Sequence, residues 1–311
     1  MKKTEYIKTS DACIGFVECE QTRHEAKWTV LSDNRSSNPK LETEHGLSIL
    51  LETEQHKILL DTGASNVFIR NAELLGVDFI DVDYVFISHG HSDHAGGLQH
   101  FLRINERAKI IVSPEAMNGN FFSMRGNLHS ITTVWPEMND DRLLLIKHTC
   151  EVSDGIHAIA HIPQIHPMPK GNHNLYVQDA NGEYLNDDFR HELALYADGL
   201  LFTGCAHSGL ENILAACPWN VHTVVGGFHL LDGQELPEQR ELSSSLERPS
   251  RDGSRQSQSE EELQELAERL KEQYPTTRFY TSHCTGDNVH DVMKSVMGEQ
   301  LQTFRSGTII K

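Results

Sequence analysis

The sequence predicts an α/β protein, a sandwich of two mixed β-sheets with helices outside. Two observations carry this. Strand hairpins and strand–helix units alternate along the 311 residues, enough chain for one large core. A β-prone apolar run, Tyr84 to Ser88, leads into a polar loop and then into Gly96-Gly97 and the helix-like spacing of Leu98, Phe101 and Leu102. Chemistry in α/β folds gathers at such strand ends.

The elements follow in order. Residues 1–45 are polar and yield only a loop at 33–39. Residues 47–51 and 57–60 read as two strands about a polar turn, closed by Asp61-Thr62-Gly63. Residues 66–75 have helical periodicity, and Lys109 to Val112 is a strand. Residues 114–150 mix short strands with a polar stretch suited to a lid, 156–160 is a strand, and 163–173 is a loop rich in Pro and His. Residues 193–196 and 200–203 form a hairpin about Ala197-Asp198-Gly199, and 209–216 is helical. Thr223 to Val225 is a strand ending in Gly226-Gly227-Phe228-His229. Residues 232–259 are Ser-, Glu-, Arg- and Gln-rich, and are expected to be a mobile surface insertion in a single domain spanning 1–311. A helix over 260–274, a strand over 278–281, a helix over 287–297 and a strand over 308–310 complete the chain.

Composition narrows the function. A net charge of -18 disfavours nucleic acid and anionic membranes as partners. No run approaches the ~20 apolar residues of a membrane span, and the charged N-terminus is not a secretory signal. Six cysteines without a C-x-x-C pair suit free thiols in a reducing cytoplasm. No G-x-x-x-x-G-K loop, G-x-G-x-x-G turn or Ser–His–Asp arrangement is present.

The most informative segment is Ser88-His89-Gly90-His91-Ser92-Asp93-His94-Ala95-Gly96-Gly97-Leu98. Three histidines and an aspartate within six residues solve no packing problem. They suit metal ions, because neutral imidazole binds borderline-soft cations and carboxylate offsets charge. The string resembles the H-x-H-x-D-H signature of the metallo-β-lactamase superfamily, and the resemblance extends over residues 45–311. It implies the αββα arrangement and two divalent ions, zinc first, with manganese or iron as options. His89 and His91 would bind one ion, and Asp93 and His94 the second. Asp61, in a D-T-G motif, would orient a ligand histidine from behind. His283, in Ser282-His283-Cys284-Thr285-Gly286, matches the final metal histidine.

Two departures from the pattern matter. The superfamily usually has a bridging Asp where this chain has Cys205, in Thr203-Gly204-Cys205-Ala206-His207. A thiolate also binds zinc, so Cys205 is a candidate ligand, and His207 a stronger one. The third-motif histidine expected near residue 160 is not obvious. His161, His166 and His173 are candidates, or His207 takes that place. His229 is a candidate for substrate binding or for proton donation to a leaving group, and Asp93 for hydrogen bonding to the attacking water. The T-G-C-A-H-S-G, G-G-F-H-L and S-H-C-T-G segments resemble a subgroup of metal-dependent hydrolases. That subgroup is often named for a 7,8-dihydropterin-6-methyl-4-(β-D-ribofuranosyl)aminobenzene 5′-phosphate synthase. The expectation is a hydrolase using a metal-activated water on a small-molecule ester, amide or phosphate. The alternatives are a metal-dependent condensation of the kind that name implies, and a metal-binding sensor without turnover.

Overall fold

In the computed structural model, which describes residues 26–230 and 258–311, strands β1 (Lys27–Ser32), β2 (Ser48–Glu52) and β3 (Lys57–Leu60) pair antiparallel. Helix α1 (Val67–Leu75) ends on Gly76, whose φ of 71° is the left-handed stop that glycine supplies. It leads to β4 (Tyr84–Phe86), parallel to β3. Two single turns, α2 (Ser92–Ala95) and α3 (Leu98–Phe101), precede β5 (Lys109–Val112) and α4 (Pro114–Asn118). Next come β6 (Phe121–Ser123), β7 (His129–Ser130), β8 (Leu143–Leu145), β9 (Cys150–Ser153) and β10 (Ile156–Ile159). After β11 (Leu175–Gln178) and β12 (Tyr184–Asn186), the hairpin β13 (Ala194–Ala197) and β14 (Leu200–Phe202) leads to α5 (Leu210–Ala216) and β15 (Thr223–Gly226). Then follow α6 (Glu260–Gln273), β16 (Arg278–Thr281), α7 (Asp287–Met297), β17 (Leu301–Thr303) and β18 (Ile309–Ile310).

Two seven-stranded mixed sheets result, ordered β18-β1-β2-β3-β4-β5-β8 and β17-β16-β15-β14-β13-β10-β9. Side-chain alternation sorts the residues into layers. Ile58 and Leu60 point between the sheets and meet Leu195, Phe202 and Val225, while Leu59 faces Phe68 and Phe101 of the helices outside. Phe86 and Phe202 meet edge to face across the sheets, centroids 6.1 Å apart. On the far side, Leu201, Val224 and Phe279 pack against α5, α6 and α7 through Ile213, Ala267, Leu270 and Met293. These central strands are covered on both faces, so they read as continuous apolar runs. The layering is the predicted αββα sandwich.

Some elements differ from the expectation. Asp93 and His94 lie on the helical turn α2 rather than in a loop. Strands β1 and β17 were not anticipated, nor was a third, four-stranded sheet ordered β12-β11-β6-β7. The insertion expected over 232–259 falls outside the described residues as far as 257. Ser259 is the N-cap of α6, in a capping box with Glu262. No helix among the described residues is long and apolar enough to cross a membrane.

Candidate metal centre

Strands β3 and β4 of one sheet and β14, β15 and β16 of the other release their C-terminal ends toward one cleft. Asp61 follows β3, His89 follows β4, Cys205 and His207 follow β14, His229 follows β15, and His283 follows β16. The turns that carry these residues are tight. Asp61 (φ 54°), Ala206 (54°), His229 (45°) and His283 (53°) all take the left-handed region, at a cost of about 1–3 kcal/mol each. Such concentrated strain marks a site whose surroundings hold it in place. Gly204 (φ 57°) has the same conformation, and a Cβ there would lie 2.4 Å from Ser88 Oγ.

Hydrogen bonds behind the histidines fix which ring nitrogen faces the cleft. Asp61 accepts from His94 Nδ1 at 2.6 Å, from Ser88 N at 2.8 Å and from Ser88 Oγ at 2.7 Å. Having spent its proton on Asp61, Ser88 Oγ accepts from His89 Nδ1 at 2.8 Å. Asn172 donates to the His207 carbonyl, which orients its amide, so its Oδ1 accepts from His207 Nδ1 at 2.9 Å. Asn34 does the same for His283, donating to its carbonyl and accepting from Nδ1 at 2.8 Å. In all four rings Nδ1 carries a proton, so the neutral ring has its lone pair on Nε2. Such partners set the tautomer and orientation of metal-binding histidines.

Two ligand sets follow. The Nε2 atoms of His89, His91 and His207 are buried and have no hydrogen-bond partner. Their rings are neighbours, with His91 and His207 centroids 4.5 and 4.9 Å from that of His89. Burial drives the pKa of His89 and His207 well down and that of His91 to about 3, so all three are neutral, the form that binds metal. In the second set, His94 Nε2 and His283 Nε2 lie 3.2 Å apart, with Asp93 Oδ2 3.7 and 3.3 Å away. Two lone pairs at that distance repel unless a positive charge lies between them. Tetrahedral zinc with bonds of about 2.0–2.1 Å sets its nitrogens about 3.3 Å apart, which matches. A proton on His283 Nε2 answers the same demand: burial alone would lower its pKa, yet the hydrogen bond to Asp93 and nearby charges raise it to about 9, and a bound cation would replace that proton.

Cys205 belongs to both sets. Its Sγ groups with His89 and His207 and also with His94 and His283, all ligand atoms of each group lying within 4.8 Å of one another. Its contact with His94 Nε2 is 3.1 Å. Burial pushes the thiol well up, and a coordinated cation reverses that, since a coordinating thiol is deprotonated. The donors therefore fit soft-tolerant divalent cations.

The third-motif histidines do not join them. His161 is exposed and packs on His148, the His166 backbone is tied to Asn212, and His173 Nδ1 bonds the Lys170 carbonyl. None belongs to a ligand group among the described residues, whereas His207, the alternative for that place, groups with His89 and Cys205. His191 groups with His91 and Asp187 but has no lone pair to give. Its Nδ1 accepts from Gly90 N at 3.1 Å and its Nε2 bonds Asp187 at 3.0 Å. It therefore braces the loop carrying His89 and His91.

Several contributors were not foreseen. Glu192 is buried and accepts from the amides of His207 and Ser208, both at 2.7 Å, shaping the turn after Cys205. Asn34 and Asn172 set tautomers. His45 stacks on His283 and reaches Asp93 at 3.3 Å. Cys284 groups with Cys205 and His229. No local pattern announces these residues, although the runs of polar residues around Asn34 and Asn172 are a weak signal. The cleft has a volume of about 180 Å³ and is lined by His91, His207, Asp93, His283 and Cys205 together with Arg125, His229 and Cys284.

Known proteins resemble this chain in sequence and in fold. Residues 42–170 match the family model described as the metallo-beta-lactamase superfamily. The 7,8-dihydropterin-6-methyl-4-(beta-D-ribofuranosyl)-aminobenzene-5′-phosphate synthase of Methanocaldococcus jannaschii is 25% identical over 91% of this chain and 95% of its own. The uncharacterized protein MJ0448 of the same organism is 28% identical over 65% of this chain and 78% of its own. A solved structure, Tm1679, described as a metal-dependent hydrolase of the beta-lactamase superfamily, superposes with a TM-score of 0.70 at 27% identity, covering 92% of this chain and 99% of that one. Over residues 42–170 the chain matches the superfamily's model, and its fold is the metallo-β-lactamase fold.

Proposed function

We propose that the protein is a metal-dependent hydrolase of a small-molecule ester, amide or phosphate, with two divalent ions at this site. The observation that carries the reading is the convergence of three buried, unpartnered Nε2 atoms beside the facing Nε2 atoms of His94 and His283. His89, His91 and His207 would hold one ion, and Asp93, His94 and His283 the other, with Cys205 between them. Mixed nitrogen, sulfur and carboxylate donors favour zinc, with manganese or iron as alternatives. Bound ions supply Lewis acidity toward water and toward a substrate oxygen.

The chain's own residues do the rest. Burial raises the pKa of Asp93, but His94, His283 and His45 outweigh it and keep the carboxylate ionised. Asp93 can therefore accept a hydrogen bond from water at the cleft. His229 lines the same cleft. A guanidinium only donates, so at 3.0 Å from Arg125 Nη2 the His229 Nε2 accepts, and the neutral ring keeps its proton on Nδ1, beside Cys284. This suits proton delivery to a leaving group.

A second reading, metal-assisted condensation on a pterin or ribosyl-aminobenzene substrate, draws support from the name of the M. jannaschii relative, which spans nearly the whole chain. The test is turnover of an ester, amide and phosphodiester panel by zinc- or manganese-loaded protein, lost on chelation and restored on reloading. Metal-loaded protein that splits no member of the panel contradicts hydrolysis. A joined product from two substrates supports condensation.

A further inference from the structure

We infer that Arg125 is the specificity residue of this cleft and that the substrate carries an oxyanion, a phosphate or a carboxylate, close to its reacting bond. The inference rests on the cleft being the substrate site proposed above, and adds the class of substrate.

Arg125 sits at the bend of the β6–β7 hairpin, just before Gly126, whose φ is 83°. The hairpin is tied to the ligand loop. Ser92 N donates to the Ile131 carbonyl at 2.8 Å, Thr133 N donates to the Gly90 carbonyl at 3.1 Å, and His91 pairs with Thr132. Arg125 is therefore held in register with His91 and Asp93. It is the only Lys or Arg among the described residues lining the cleft.

Its guanidinium is under-used. One Nη2 contact goes to His229, and Nε is buried with no partner. Among the described residues no carboxylate forms an ion pair with it, although the chain has 45 Asp and Glu against 27 Lys and Arg. A half-buried guanidinium fork with free donors, facing a cleft and lacking an internal anion, matches the planar two-oxygen face of a phosphate or carboxylate. The spacing limits the substrate. Arg125 contacts His229, whose ring lies 4.2 Å from that of His207. One imidazole thus separates the guanidinium from the ligand set, so a few bonds separate the anionic handle from the reacting bond.

The test is calorimetric binding of phenyl phosphate, benzoate and benzyl alcohol to zinc-loaded wild type, Arg125→Met and Arg125→Lys, with metal content and melting temperature checked in each. Arg125→Met should weaken the preferred anion about tenfold or more, as loss of a charge-assisted pair does, with zinc content unchanged. Arg125→Lys should recover part of the affinity, and benzyl alcohol should bind all three alike. The anion that responds identifies phosphate or carboxylate. If wild type binds neither anion, or if Arg125→Met binds both as wild type does, the inference is overturned. Arg125-dependent binding without any hydrolytic turnover would defeat the hydrolase reading and leave this one standing.

Discussion

His94 Nδ1 lies 2.6 Å from Asp61 Oδ2, and neither side chain is exposed to solvent. That contact aims the lone pair of His94 at His283, and Ser88 relays the same carboxylate to His89. One buried acid therefore orients a candidate ligand in each set.

Replacing Asp61 by Asn removes the charge and turns one acceptor into a donor facing Ser88 or His94. Metal affinity should fall about 10–100-fold, the usual cost of losing such a partner. Chelator competition measures it. Unchanged affinity would mean that something other than Asp61 sets the His94 ring.

His207→Ala should lose metal and turnover together, because one of three convergent Nε2 donors disappears. Cys205→Ser should retain more metal than His207→Ala, since the flanking histidines of both sets remain. His161→Ala, His166→Ala and His173→Ala should each keep wild-type metal content by elemental analysis. Loss of metal in any of those three would relocate the first set.

Glu192 supports the turn that presents Cys205 and His207. Glu192→Ala leaves two buried amides without an acceptor, at about 1–3 kcal/mol each. Chemical denaturation of the metal-free protein should show a loss of about 2–6 kcal/mol. A change below about 0.5 kcal/mol, the scale of ordinary surface substitutions, would rule out this supporting role.

Part of this was legible in the sequence. His89, His91, Asp93 and His94 are consecutive enough to announce themselves, and β4 before them is an apolar run of the length a strand needs. Asp61, Cys205, His207 and His283 could be located because each follows a readable strand. Arg125, Asn34, Asn172 and Glu192 could not. Their partners are distant in sequence, 249 residues for Asn34 and His283 and 35 for Asn172 and His207, and such bonds impose no periodicity. β1 was hidden for a related reason. Its outer partner, β18, comes from the opposite end of the chain, and its six residues follow a long polar stretch.

The cysteines should differ in reactivity. Burial raises the Cys217 thiol to about 11, whereas Cys150 is exposed. The thiolate is the nucleophile, so at about pH 8 iodoacetamide should label Cys150 and leave Cys217 unmodified, as read by peptide mapping. Rapid labelling of Cys217 in folded protein would contradict its burial against Trp219.

The central claim is a pair of metal ions held by the Nε2 atoms of five histidines, with Asp93 and Cys205. Anomalous diffraction from zinc-loaded crystals tests it most directly. Two peaks are predicted, one bonded to His89, His91 and His207, the other to Asp93, His94 and His283, with Cys205 Sγ in reach of both. No peak within coordination distance of these residues, or a peak on His161, His166 or His173 instead, would contradict the account.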